Sequence, residues 1–353
     1  FTNQTNVSAS QIQTAINSGV SVQIITDGTI TQSSALAFNV TANSSTPSLT
    51  LDTRSGSIQS ITTAAITDTS SGTGSGVTLN IYTAGGAVTL GATQLKGSLN
   101  VDNTFAVNGS TSGFITINNA GTYANSSASG IAIPSNLNIS GSINLKSVTN
   151  ATNIVASGIY ITATSIEGRQ GITISSSSAR VEAGFFINST TITSAAGNIS
   201  ITGSTLGSAN LGINSSGTIT ATLGSISLTG NSLTGNAVTQ SGTMSAATGI
   251  TVSATSTTAA TIVSIGALTV TGAGAPISIT ANNSAAGGNT GITQSGAITG
   301  ANGSDISFTS NNVISQNGAI TLAANTSGST ATLLYDTTSG NKSSTILSGT
   351  LTL

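Results

Sequence analysis

The sequence predicts an all-β protein, a parallel β-solenoid with a short N-terminal cap or helix. Three observations carry that reading. Apolar residues alternate with small polar ones over short runs, glycine-led units recur at near-constant spacing, and charge, proline and cysteine are almost absent. The first sets the element type, because period-two alternation sends one face inward and the other to water. Ile199 and Ile201 flank Ser200, Ile226 and Leu228 flank Ser227, Ile277 and Ile279 flank Ser278, and Ile320 and Leu322 flank Thr321. Thr, Ile and Val favour strands, and Gly and Asn between the runs supply turns.

The second observation sets the architecture. "GIYITATSIEGRQ" begins at Gly158, "GITISSSSARVEA" at Gly171, "GFFINSTTITSAA" at Gly184 and "GNISITGSTLGSA" at Gly197, a step of 13 residues three times running. Looser copies follow at Gly217, Gly224, Gly249 and Gly266, and others precede at Gly97 and Gly130. Units this short bury no core alone, so neighbours must stack. The spacing allows a coil of two 13-residue units or one of about 20 residues with three strands. At about 20 residues and ~4.8 Å between strands, the rod would be about 80 Å long. One elongated solenoid over residues 1–353 is expected, with the cap inside 1–30 and the clearest repeats in 158–230. The cap signal is "SASQIQTAINSG", Ser8 to Gly19, where Ile12 and Ile16 are four apart and Gly19 is a stop.

The third observation excludes functions. Only 4% of the 353 residues are charged, against about 25% in ordinary domains. With 6 basic and 8 acidic residues the net charge is -2. No basic stripe exists to neutralise phosphates, so nucleic acid is not an expected partner. No polybasic segment serves a membrane surface, and no apolar run is long enough for a membrane-spanning helix. Disorder is rejected by 37% hydrophobic residues and a mean hydropathy of +0.28. Without cysteine there is neither a disulfide nor a thiolate ligand. Phe1 is not an initiator methionine, as expected of a processed product or an excerpt.

The run "ASQIQTAINSGVSVQIITDGTITQSSAL", Ala9 to Leu36, followed by Gly-x-Ile-x-Ile/Leu/Val units, resembles filamentous-haemagglutinin-like surface proteins of bacteria. These are large adhesins exported by two-partner secretion. The resemblance covers nearly the whole chain and is one of repeat style, not of a site motif. It implies a right-handed parallel β-helix and an extracellular stalk, adhesin or matrix component. The family's secretion domain usually carries an Asn-Pro-Asn type motif, yet Pro47, Pro134 and Pro276 follow Thr46, Ile133 and Ala275 here. The expectation is therefore a stalk without that domain, or export by another route. S-layer proteins and autotransporter passengers share much of this composition.

Catalytic chemistry is not expected. Acid–base work usually needs histidine or paired carboxylates. There is no histidine, and Asp27, Asp52, Asp68, Asp102, Glu167, Glu182, Asp305 and Asp336 form no tight cluster in sequence. The densest charge is Glu167, Arg169, Arg180 and Glu182. A shift of 13 lays Glu167 on Arg180 and Arg169 on Glu182, so these read as a surface charge ladder. "NGSDISF", Asn302 to Phe308, holds one Asp among amides and reads as a turn. "GTGSG", Gly72 to Gly76, lacks the Lys of a phosphate loop. No cofactor or metal is expected. Phe185 and Phe186 must point to opposite faces of one strand, leaving one as a candidate exposed contact.

The ends carry the functional expectation. "STILSGTLTL", Ser344 to Leu353, is bare alternating strand, and "FTNQTNVSAS", Phe1 to Ser10, is uncharged. Open strand edges are normally defended by charge or proline. Undefended ends favour head-to-tail contacts, which build open filaments. The expected function is a non-enzymatic, extracellular structural rod that polymerises with itself through Phe1, Leu351 and Leu353. Cell-surface glycans or matrix are further partners to consider. The alternatives are a stalk segment of a large secreted adhesin and a β-helical carbohydrate-active enzyme, whose facing carboxylates distant coils would have to assemble.

Overall fold

A computed structural model describes residues 6–55, 59–73, 75–83, 88–91, 93–97, 99–104, 115–117, 131–133, 137–139, 142–149, 159–161, 164–178, 183–205, 211–257, 261–283, 290–323, 331–337, 345–347 and 349–352. Among the described residues all strand pairings are parallel, and the strands form three sheets of 12, 13 and 12 strands. The chain visits the first, second and third sheet in turn and then starts the next coil. This is a β-solenoid, as the alternation and the repeat predict.

Most coils are longer than the 20-residue alternative and close to two 13-residue units, while Leu79 and Leu99 pair across a step of 20 residues. Ile172 pairs with Ile199 and Ile199 with Ile226, a step of 27 residues. The glycines thirteen apart therefore alternate between sheets. Gly171 opens the first-sheet strand Gly171–Ser178, Gly184 lies in the second-sheet strand Ala183–Ile187, and Gly197 precedes the first-sheet strand Ile199–Thr205. The third sheet, here Ser165–Gly168 and Thr191–Ser194, occupies the rest of each coil. The step stays near this value after Gly197, with Ile226 on Ile250, Ile250 on Ile277 and Ile277 on Ile306. A larger irregularity interrupts the stack. Ile115–Ile117 and Ile131–Ile133 both join the second sheet, while the first passes directly from Leu99–Thr104 to Ser142–Thr149. That step is 44 residues at Asn100 and Asn144.

In-register stacking turns the alternation into aliphatic columns. In the first sheet one inward column runs Leu49, Leu79, Leu99, Ile143, Ile172, Ile199, Ile226, Ile250, Ile277 and Ile306, each opposite the next. All are buried. Burying one such side chain contributes about 1.5–3 kcal/mol before entropy is charged against it. The larger rings go inside too: Phe38, Phe185 and Phe308 are buried, and Phe308 stacks on Tyr335 with centroids 5.1 Å apart. Phe186 points outward and is half-buried. It stands opposite Tyr160 and Asn214 in register.

Corners are set by glycine and by side-chain amides. A Cβ on Gly197 would run into the backbone of Gln170, and one on Gly224 into the carbonyl of Gly197. At the corner after the second sheet, a Cβ on Gly242 would meet Gly217, one on Gly318 would meet Gly296, and one on Gly349 would meet Gly318. Glutamines brace that corner. Gln240 Nε2 donates to the Gly217 carbonyl at 2.9 Å, Gln294 Nε2 to that of Gly296 and Gln316 Nε2 to that of Gly318. An asparagine turn ladder also forms: Asn283 N donates to Asn311 Oδ1 at 2.8 Å, and Asn311 Nδ2 donates to the Asn283 carbonyl.

The N-terminal helix spans Ala9–Asn17. Ser8 caps it: Gln11 N donates to Ser8 Oγ at 3.2 Å and Ser8 N to Gln11 Oε1 at 2.9 Å. This reciprocal pair satisfies two otherwise orphaned donors. Gly19, at φ +86°, follows the last turn. Ile12 and Ile16 are buried against the first coil. Gln13 Nε2 donates to the Ala37 carbonyl, and Asn39 N donates to Asn17 Oδ1.

Candidate functional site

The two ends differ. At the N-terminal end the helix packs on the edge strands Val22–Ile25 and Leu36–Phe38. Among the described residues the cap does not close the whole end. A groove of about 700 Å³ lies beside it, lined by Val7, Ile12, Ile24, Ile30, Leu49 and Leu51 together with polar residues from the same strands. Several of these face the core, so the groove is the mouth of the solenoid interior. The expectation of a bare start is thus corrected in part: a folded helix covers two of the three edges.

At the C-terminal end the outermost strands are Leu333–Asp336, Thr345–Leu347 and Leu351–Thr352. Leu351 stacks over Ile320 in the third sheet and is 50% exposed, where its predecessors in the column are buried. It extends that apolar column. Of the three predicted subunit contacts, Leu351 is therefore placed at a solenoid end. Phe1 and Leu353 lie outside the described residues.

The predicted charge ladder is placed only in part. Glu167 sits in the third sheet opposite Asn138 on one side and Thr193 on the other, so the 27-residue coil gives it neutral register partners. Arg169 is exposed in the following turn. Arg180 and Glu182 lie outside the described residues.

The structure gathers charge elsewhere, at two places the sequence reading passed over. On the outer face of the first sheet, Arg54 binds Asp52 through two side-chain bonds, Nε to Oδ1 at 3.0 Å and Nη2 to Oδ2 at 2.7 Å. Its guanidinium carbon lies 4.4 Å from the ring centroid of Tyr82, the register partner of Asp52 in the next coil. Tyr82 stands opposite Asp102, and Asp102 opposite Lys146. One register position thus runs through Asp52, Tyr82, Asp102 and Lys146. A polar column runs beside it: Asn80 Nδ2 donates to Thr50 Oγ1 at 3.1 Å, Asn100 Nδ2 to Asn80 Oδ1 at 2.7 Å, and Asn144 Nδ2 to Asn100 Oδ1 at 2.7 Å.

The hydrogen bonds from Arg54 hold the Asp52 carboxyl below its ordinary value, with burial opposing them. A depressed folded-state pKa stabilises above the unfolded value and loses that contribution as pH falls through the folded one. Stability should therefore decline on acidification below about pH 3.8, the ordinary aspartate value. Arg54 is about half exposed, so the pair is worth no more than about 1 kcal/mol. Urea unfolding of Arg54→Gln at about pH 5 and about pH 2.5 should show a smaller acid-induced drop in midpoint than the wild type. An equal drop in both proteins would remove this pair from the account.

The second place is buried. Asp68 is 2% exposed and occupies an inward position opposite Phe38. Its Oδ1 accepts from Ser70 N at 3.0 Å and Ser70 Oγ at 2.5 Å, and its Oδ2 from Val77 N at 2.7 Å and Lys96 N at 3.0 Å. Lys96 Nζ donates to the Ser70 carbonyl. One carboxylate thus ties the corner of one coil to the start and to the corresponding corner of the next. Asp305 plays a smaller version of this part, since its Oδ1 accepts from Thr332 N at 2.8 Å. Among the described residues no three metal-ligating side chains converge.

These features define a class: a β-helical repeat protein whose polar groups brace coils and whose ends are unlike each other. No family model matches the chain, and no curated protein or solved structure does so either.

Proposed function

We propose that the chain is the rod of an extracellular bacterial fibre, of the filamentous-haemagglutinin-like kind its repeat style resembles, and that it grows head to tail with further copies of itself. The observation that carries this reading is the complementarity of the two ends. One presents a groove at the mouth of the core where Ile24, Ile30 and Leu49 lie among hydroxyl and amide side chains, and the other an exposed leucine continuing a core column. Burying such surfaces against each other is the favourable term in association. A heterologous contact of this sort repeats without closing. Cell-surface glycans or matrix are the outside partners this role implies.

Negative-stain electron microscopy of the purified chain at rising concentration tests the proposal. Rods should lengthen in multiples of one unit, and Leu351→Lys should hold them at unit length. Rods of unit length at every concentration would overturn it. They would favour a second reading, a stalk segment of a large secreted adhesin, which the folded helix over two edges of the first coil supports.

A further inference from the structure

The outer face of the first sheet changes character beyond Asn144 and Lys146. Over six successive coils its two central outward positions are Thr173 and Ser175, Ser200 and Thr202, Ser227 and Thr229, Thr251 and Ser253, Ser278 and Thr280, Ser307 and Thr309. Every coil supplies one serine and one threonine. The register has no shift anywhere in this stretch, so the hydroxyls form two straight columns. Neighbours are ~4.8 Å apart along a column and ~6.7 Å across the strand. All twelve residues are half-buried or exposed. None of the hydroxyls is engaged by another described residue.

We propose that this block is a lateral docking face for a second copy of the same chain, packed antiparallel. Three observations select that occupant. A face with a strict strand-spacing period is commensurate over its length only with another face of the same period, and this chain supplies one. A hydroxyl both donates and accepts, so the face is complementary to itself. The block is also asymmetric in register: its inner column is followed by the Lys146 position, opposite Ser175, at one end and by the Asp336 position, opposite Thr309, at the other. Antiparallel packing brings each end of that column to the oppositely charged end of the partner, whereas parallel packing brings like to like.

The physics is that of paired sheets with short side chains, which interdigitate closely and order few rotamers. With the flanking strands the face measures about 38 Å by about 15 Å, roughly 600 Å² per copy and at the low end for a stable pair. Single rods should therefore pair weakly. Rods joined end to end would pair with the summed strength of many faces. The proposal uses the side of the rod and the preceding one uses its ends, so each can fail alone.

Two-fold packing sets Thr202 against the partner's Thr280 and Thr229 against the partner's Ser253. The chain has no native cysteine, so single cysteines report cleanly. Thr202→Cys and Thr280→Cys, mixed and oxidised, should form disulfide-linked heterodimers in preference to either homodimer. The double variant Thr229→Lys, Ser253→Lys places four ammonium groups about the two-fold axis. It should abolish lateral pairs in sedimentation velocity and double-width rods in micrographs, with circular dichroism and rod length unchanged. Homodimers of Thr202→Cys in excess would overturn the antiparallel arrangement. A wild type that sediments as single-width rods throughout overturns the proposal. So does one that stays single-width and instead pellets with a crystalline neutral polysaccharide, which would assign the face to a glycan.

Discussion

Asp68→Ala should unfold the N-terminal coils at a markedly lower urea concentration than the wild type. The substitution removes the acceptor from Val77 N, Lys96 N and both groups of Ser70 at once. Buried donors left without a partner lose their full desolvation free energy, and breaking a buried charged network costs about 3–5 kcal/mol. Asp68→Asn should recover little, because its amide turns a donor toward other donors. In a solenoid each coil is held mainly by its neighbours, so damage is local before it is global. Hydrogen exchange should accelerate first at Val77 and Lys96, with the coils beyond Gly197 protected as before. Uniform acceleration along the chain, or none, would show that Asp68 does not bind these coils together.

Gly197→Ala is expected to have the next largest effect, through crowding where Asp68→Ala acts through loss. The added methyl has nowhere to go: it meets the Gln170 carbonyl group, which is backbone and cannot rotate away. Overpacking of that kind costs about 1–3 kcal/mol, and here the top of that range applies because the two coils must separate. Gly28→Ala is the control. Its Cβ would meet only the Thr26 hydroxyl at an ordinary 3.6 Å, and surface changes of that kind stay within about 0.5 kcal/mol. Thermal melts of the two variants should differ clearly. Matching melts would mean that the corner has room the structure does not show.

The two variants bear on what could be read in advance. Strand identity and inward residues were legible because period two is a one-dimensional signal: Ile199, Ile201, Ile226 and Leu228 are where the alternation puts them. The coil length was not, because the 13-residue glycine step is half a coil and nothing in the spacing says that neighbours lie two steps away. Glu167 was consequently set against Arg180 when its register partners are Asn138 and Thr193. Asp68 was legible and overlooked. In "AAITDTSS" it shares the parity of Ile66, and taken literally the alternation sends it inward.

The corner glutamines also left a trace. "TQSG" ends at Gly242 and again at Gly296, and "SQNG" ends at Gly318. Gln before a small polar residue and Gly is therefore a corner signature, as telling as the leading glycine. Arg54 on Tyr82 had no such trace, since the two residues meet only through the 30-residue step between Ser48 and Thr78.

The 27-residue step has a mechanical meaning. The hydrogen bonds between coils run along the rod, so tension applied at its ends falls on them and not on covalent chain. Three short strands and a few side-chain braces hold each coil to the next. A load therefore peels one coil while the rest stay wound. Each release lengthens the tether by about 90 Å of extended chain in exchange for ~4.8 Å of rod. A solenoid built this way is stiff under small forces and pays out line under large ones, keeping its two ends connected long after its shape is gone.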